Sequence, residues 1–503
     1  MDWLVAVAQF IVNQVLSVPA YLVGIITAVG LIALRRSKGQ VIGGGLKATL
    51  GFLILGAGAN IVVASLEPLG KMILQATGAQ GVIPTNEAIV SIAQDKFGTQ
   101  TAWVMIAGFI VSLALARFTP LKYVFLTGHH MFYMATMLVV VLSVADFSGI
   151  EIVLVGALLL GMAMVVMPSL AQPWMRRVTG NDDLAIGHFG TTGYIAAGAV
   201  GQAVGRRSRS TEDMRVPEGL RFLRDSMVAT ALSMVLVYVV FSLVLWARVG
   251  GTKAFAVLSS TDGGDFVMDS IAQGLQFGIG VSIILFGVRT ILGELVPAFE
   301  GIAQRVVPGA KPALDCPIVF PFAPNAVLIG FIASFVGGLV SLGLIAVLFN
   351  PWLGLALILP GMVPHFFTGG TAGVFGNATG GRMGAMVGAF VNGMLITFLP
   401  AFLLLVLGSL GFGNTTFGDA DFGVLGIVTG NIVKIGHVGG LLLLMALVAV
   451  VVAVVSVYQR RVVTAGWTPG GGRDAALAAS EASDRASEAP VASNAGRNGS
   501  GRS

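Results

Sequence analysis

Four groups of polar residues lie inside or beside apolar runs, where each needs a reason to be. Thr85, Asn86 and Glu87 follow Pro84; Asp315 precedes Cys316-Pro317; His129 and His130 follow Gly128; His188 follows Gly187. A charge at the bilayer centre costs at least roughly 2.5–3.5 kcal/mol on insertion scales, so such groups must face a partner or a cavity. Carboxylates, imidazoles, an amide and a hydroxyl together can hydrogen-bond a hydroxylated solute or hold an ion. Asp315 leads as a ligand contact, its alternative being an ion pair to Arg289 or Arg305, and His129 and His188 come next. His130 points elsewhere on its helix and reads as structural. His365, after Pro364, either mirrors His129 or holds a helix break, and His437 reads as interfacial. Arg289, Glu294, Glu300 and Arg305 recur at helical spacing and read as scaffold. No catalytic constellation and no GxxxxGK[ST] appear. One cysteine, Cys316, rules out an intrachain disulfide or a thiolate cage, so neither metal nor cofactor is expected.

The elements that position these groups follow from composition. Of 503 residues 55% are hydrophobic and 11% charged, with a mean hydropathy of +0.89, whereas a soluble domain carries roughly 25% charged residues. So few charges cannot clothe a water-exposed shell, and the chain reads as an all-α integral membrane protein. The 69 glycines permit close helix approach and helix breaks beside a cavity. The net charge of +5 sits in short clusters between apolar runs, a topology signal rather than a nucleic-acid footprint. Met1-Asp2-Trp3 lacks the basic start of an export signal. Residues 1–465 read as one transmembrane domain and Gly466–Ser503 as a disordered cytoplasmic tail.

Apolar runs near 20 residues can cross a hydrocarbon core of roughly 30 Å. They fall at about 17–34, 42–65, 102–116, 123–143, 150–170, 226–248, 267–290, 325–348, 352–367, 383–410 and 437–459, which makes eleven spans. Stretches at about 66–100, 184–204 and 294–324 are too broken for plain spans and too apolar for exposed loops, and they predict re-entrant hairpins. Pro217–Asp225 has the spacing of an interfacial helix. Lysine and arginine clusters around 35–47, 117–122, 176–177, 206–224 and 460–461 assign those turns to the cytoplasm. The other face then receives Asp146, Glu151, Asp262, Asp265, Asp419 and Asp421, with the N-terminus outside and the C-terminus inside.

The chain also resembles itself. Asn60–Pro68 parallels Arg289–Pro297, Gly108-Phe-Ile-Val-Ser112 parallels Gly330-Phe-Ile-Ala-Ser334, Phe118-Thr-Pro120 parallels Phe349-Asn-Pro351, and Leu126-Thr-Gly128 parallels Leu359-Pro-Gly361. The charge map gives the two copies, about 41–140 and 266–370, opposite directions. Inverted repeats of this kind place substrate near the midplane between broken helices, so transport leads.

Gly128-His129 with Met131-Phe132, Ile186-Gly187-His188, Gly301-Ile302 with Gln304-Arg305 and Pro308-Gly309-Ala310, and Asp315-Cys316 with Phe322–Val327 resemble the ascorbate family of IIC permeases of the bacterial phosphoenolpyruvate:sugar phosphotransferase system. The resemblance runs from about residue 12 to 460 and implies an eleven-span homodimer in the bacterial cell membrane. It further implies a core domain moving against a V-shaped dimerisation domain. L-ascorbate would be the substrate, phosphorylated on arrival by a separate cytoplasmic IIB protein that a IIA protein supplies. Family substrate contacts carry onto Gly58, Thr85, His129, His188 and Asp315. Asn86 and Glu87 join them from the hairpin tip. The chain departs from the family at Phe189-Gly190-Thr191 and Tyr133, where glutamines are usual, and at Ala59, where serine is. A site built to bond hydroxyls weakens when partners are missing, so a related sugar acid or polyol stands beside ascorbate, with Tyr133 and Phe189 as further candidate contacts. The alternative is a secondary transporter coupled to protons or sodium, with Asp315 and the histidines as ion sites.

Overall fold

The computed structural model describes residues 19–144, 147–214, 226–408 and 414–471. In lipid every backbone N–H and C=O needs a partner within the protein, and a helix supplies them locally. The chain accordingly forms α1 (Pro19–Ala33), α2 (Lys38–Thr77), α3 (Asn86–Phe118), α4 (Gly128–Val144), α5 (Gly149–Thr179), α6 (Thr191–Val204), α7 (Ser226–Val249), α8 (Gly263–Val306), α9 (Pro324–Leu344), α10 (Met362–Leu403), α11 (Ala420–Val433) and α12 (His437–Tyr458). Among the described residues eight helices are long and apolar enough to cross a membrane, while α4, α11 and the part of α1 from Val23 are shorter apolar helices. The protein is an all-α, multi-pass membrane protein, as composition demands. Leu442, Val450 and Val454 on α12 stay exposed, as a lipid-facing surface requires.

Helix ends follow local chemistry. Ser37 opens α2 with a reciprocal cap: its hydroxyl accepts from Gln40 N and the Gln40 side chain accepts from Ser37 N. Ser148 and Glu151 open α5 the same way. Two helices run much farther than the apolar runs suggest. α2 has 40 residues and passes through Pro68; α8 has 44 and passes through Pro297. A proline removes one ladder bond without ending a helix whose neighbours hold it. The irregular backbone expected over 66–100 is therefore confined to residues 78–85, and that over 294–324 begins only after Val306. The runs at 352–367 and 383–410 also differ: Asn350–Leu353 is a short helical turn, and α10 then continues from Met362 across Gly381. Gly381 takes φ 57° and ψ −148°, a backbone that a side chain would strain. The whole of α11 lies outside the expected spans. The helix expected at Pro217–Asp225 lies outside the described residues. Of the expected tail, 472–503 also lies outside them, but Trp467 packs on Trp174 with ring centroids 5.6 Å apart.

Among the described residues six short strands fill the breaks: β1 (Gly81–Pro84), β2 (Tyr123–Phe125), β3 (Ala185–Ile186), β4 (Lys311–Leu314), β5 (Leu357–Ile358) and β6 (Thr415–Thr416). They form two parallel sheets, ordered β5-β1-β6 and β2-β4-β3. Gly81 pairs with Leu357 and Ile83 with Thr415 in one; Tyr123 pairs with Lys311 and Ala185 with Ala313 in the other. Each strand leads toward a helix start, except β4, which feeds the 3-10 turn Cys316–Phe322. The helix N-termini thereby gather around the two sheets.

α2 and α8 cross at glycines. A Cβ on Gly287 would stand 2.6 Å from Gly51 O and 2.7 Å from Leu55 N. Backbone cannot yield as a side chain can, so this crossing admits no larger residue. Beyond the end of α5 and its candidate span, Asp182 ties the α5–β3 turn together. Its carboxylate meets Arg176 at 2.7 Å and Lys311 at 3.2 Å and accepts from Gln172 at 2.9 Å. Partial burial opposes its charge, but these donors outweigh it and hold the carboxyl at about 2.

Gly287→Val is expected to prevent the α2–α8 approach, costing at least the roughly 1–3 kcal/mol of an overpacked core; size-exclusion chromatography in detergent should show loss of the monodisperse peak. Because the Asp182 carboxyl is depressed on folding, its stabilisation is full above the ordinary value of 3.8 and is lost as pH falls toward about 2. The melting-temperature advantage of wild type over Asp182→Asn should be flat around neutrality and shrink across that acid window.

Candidate functional site

The starts of α3, α4, α10 and α11, and the turn ahead of α6, converge on one cavity of about 250 Å³. Its walls carry Asn86 and Glu87 from the first turn of α3, and His129, His130 and Tyr133 from α4. His188 comes from the β3–α6 turn, Asp419 stands at the N-cap position of α11, and Asp315 follows β4. Leu285 and Arg289 reach in from α8, and Val363, Pro364 and Phe367 from α10. Helix N-termini carry partial positive charge and unpaired N–H groups, so the cavity suits an oxygen-rich or anionic solute.

Backbone contacts fix the direction of the polar groups. His188 Nδ1 accepts from Gly190 N at 3.0 Å and lies 2.8 Å from the Tyr194 hydroxyl. Its Nε2 therefore carries the hydrogen, 3.9 Å from Asp315 Oδ1. His129 Nε2 stands 3.3 Å from Asp315 Oδ2. The other Asp315 contact is local: Oδ1 accepts from Cys316 N at 2.7 Å. His130 Nδ1 accepts from Phe189 N at 3.3 Å, and its Nε2 faces Asp419 Oδ2 at 3.9 Å. Asn86 accepts from Gly418 N through Oδ1 at 2.8 Å, which turns its Nδ2 toward Asp419 Oδ2, also at 2.8 Å. Two buried oxygens, Glu87 Oε2 and Tyr133 Oη, have no hydrogen-bond partner among the described residues. Buried polar atoms are usually paired, so these two mark places where a ligand or water belongs.

Of the residues singled out from the sequence, Asn86, Glu87, His129, Tyr133, His188 and Asp315 share this cavity. Gly58, Thr85 and Phe189 stand outside its lining. Gly58 sits at the α2–α8 crossing, where a Cβ would meet Gly280 O at 2.8 Å. Thr85 spends its N–H on Thr416 O at 2.9 Å, and Phe189 stacks on Phe125 at 4.9 Å behind the histidines.

Other residues take roles their sequence context concealed. His130 lines the cavity instead of standing away from it. Arg289 lines it too, while its expected scaffold partner Glu294 pairs with Lys47 at 2.8 Å; the side chains of Glu300 and Arg305 lie outside the description. Asp419 and Asp421, placed by the charge pattern on the non-cytoplasmic face, are buried, 3% and 0% exposed. Asp421 caps α6 instead, accepting from Thr191 N and Thr192 N at 2.9 Å each. Alternation at the Phe417–Asp421 stretch gave no warning, but the motif Asp-Ala-Asp-Phe just ahead of an apolar run has the form of a helix start. His365 lies apart, its Nδ1 2.8 Å from the Ser334 hydroxyl, so it holds α9 against α10. His437 pairs with Glu151 at 3.1 Å, near a helix end.

An all-α bundle of membrane-spanning helices that encloses a polar, partly unsatisfied cavity defines a membrane permease. The comparisons with known proteins narrow this. Residues 14–421 match the EIIC-GAT family, described as the PTS system sugar-specific permease component. The chain belongs to that family. It is also similar to the ascorbate-specific PTS system EIIC component of Mycoplasma pneumoniae, at 25% identity over 440 residues. That match covers 79% of this chain and 66% of the relative's own length.

Asp315→Asn removes the charge that faces both His129 and His188, and His129→Ala removes one wall contact. Each is expected to abolish uptake in cells while membrane insertion, followed by immunoblotting of the membrane fraction, stays at the wild-type level. Normal transport by both variants would show that the cavity is not where solute binds.

Proposed function

We propose that the chain carries a sugar acid, L-ascorbate or a close relative or polyol, across the bacterial cell membrane, and that a separate cytoplasmic IIB protein, recharged by IIA, phosphorylates it on arrival. One observation carries this reading: histidines, carboxyls and an arginine surround a cavity of about 250 Å³, with Glu87 and Tyr133 offering unpaired oxygens. The volume is below the roughly 300 Å³ at which drug-sized pockets begin, as suits a small metabolite. The specificity named for the Mycoplasma pneumoniae relative supports ascorbate; Tyr133 on the cavity wall, in place of an amide side chain, supports a relative of it.

The proposal extends to architecture. Residues 1–465 would form the transport domain, crossing eleven times with the N-terminus outside and the C-terminus inside, and would pair as a homodimer. Its repeats, about 41–140 and 266–370, would be inverted. Support comes from the matched order of parts: α2, β1 and α3 in one half, and α8, β4 and α9 in the other, each with its strand central in a three-stranded sheet. Basic residues 206–224 would face the IIB partner.

Uptake of radiolabelled L-ascorbate, other sugar acids and pentitols into vesicles separates this reading from ion-coupled transport. With IIA, IIB and a phosphoryl donor inside, the solute should appear as its phosphate ester, and without them accumulation should cease. Accumulation of unmodified solute under an ion gradient alone would replace group translocation with secondary transport.

A further inference from the structure

We propose that Asp419 is a proton-binding group of the cavity, held at neutral pH as a carboxylic acid rather than a carboxylate. The case starts from the two enclosed histidines. His130 Nδ1 accepts from the backbone N–H of Phe189 at 3.3 Å, and His188 Nδ1 accepts from that of Gly190 at 3.0 Å. A backbone amide only donates. A second ring proton on either imidazole would point at that N–H and break the bond, so both rings are locked neutral with hydrogen on Nε2. Neither supplies a cation for Asp419.

The N-terminus of α11 is the feature here that favours an anion, but the Asp419 side chain makes no capping hydrogen bond to that helix. Asp419 is 3% exposed, and among the described residues its carboxyl has one hydrogen bond, from the neutral amide of Asn86 at 2.8 Å. His130 Nε2, at 3.9 Å, is too far to donate. The charged and titratable groups around it come from several neighbouring elements: Glu87 on α3, His129, His130 and Tyr133 on α4, His188 before α6, Tyr194 on α6, Asp315 and Cys316 after β4, Asp421 on α11 and Arg289 on α8. Three carboxyls line the cavity, and Arg289 is the cationic side chain on its wall. His129 is committed to Asp315 at 3.3 Å, and Asp421 is fully served by two backbone N–H groups. An enclosed carboxyl with one neutral donor and acidic neighbours keeps its proton.

On the reading of this cavity as the solute site, the proton has a use. A neutral acid offers an O–H to a solute oxygen, where a carboxylate would repel a sugar acid. Withdrawing the proton would close the cavity to anions.

Infrared difference spectroscopy tests this without any solute, so its outcome is independent of whether the cavity binds one. The full chain, made by cell-free synthesis with carboxyl-labelled 13C-aspartate and placed in lipid nanodiscs, is compared with Asp419→Asn. At neutral pH wild type should show the C=O stretch of a protonated acid, shifted by the label and reduced by one group in Asp419→Asn. Carboxylate stretches in the difference spectrum instead of the acid band would overturn the proposal. Should Asp419→Asn not assemble, Asp419→Glu with the same label decides: the isotope-shifted acid band should fall by one group while an unlabelled acid band gains one, and an unchanged isotope-shifted acid band overturns the proposal.

Discussion

Unpaired backbone groups cannot be left in lipid, and this constraint shapes every feature of the site. A helix that stops inside the membrane leaves its first N–H groups exposed. The protein answers by ending several helices against two parallel sheets, whose strands take up the intervening backbone groups: Leu126 N reaches Ala313 O and Gly187 N reaches Leu314 O. The N-termini of α3, α4, α10 and α11 meet in one place, at the cavity. The cavity is thus a consequence of broken helices that the surrounding helices screen from lipid, and its appetite for oxygen follows from the N–H groups gathered there.

Much of this was legible in the residues. A chain with 11% charged residues has to bury itself in lipid, and the isolated polar residues after Pro84, Gly128 and Gly187 and before Cys316 all mark breaks. Asn86, Glu87, His129, His188 and Asp315 meet in one cavity because each follows or caps a strand of the two sheets. Hydropathy gave no hint of the strands themselves, since two to four residues are too few to show alternation. Nor did it give helix lengths, because Pro68 and Pro297 read as breaks and are carried within α2 and α8. The pair Asp419 and Asp421 misled for a physical reason. Acidic residues in a turn ordinarily face water, and only the three-dimensional placement of α6 and Asn86 shows that backbone N–H groups and an amide receive them.

Asp421 also decides which parts of the cavity keep their spacing. Its carboxylate holds the first N–H groups of α6, and its own N–H donates to Phe189 O at 2.9 Å. Asn86 adds the start of α3 to the same body by accepting from Gly418 N. His188 and Asp419 are therefore fixed to one another by main-chain bonds on both sides, and His130 joins them through Phe189 N. Leu285 and Arg289, by contrast, reach the cavity as side chains of α8, which packs on α2 through glycines. Displacing α8 changes the apolar and cationic wall while the hydrogen bonds that aim the histidines and carboxyls stay intact. The polar half of the cavity is rigid for the same reason that it exists: its groups serve the backbone first, and what they have left over faces the solute.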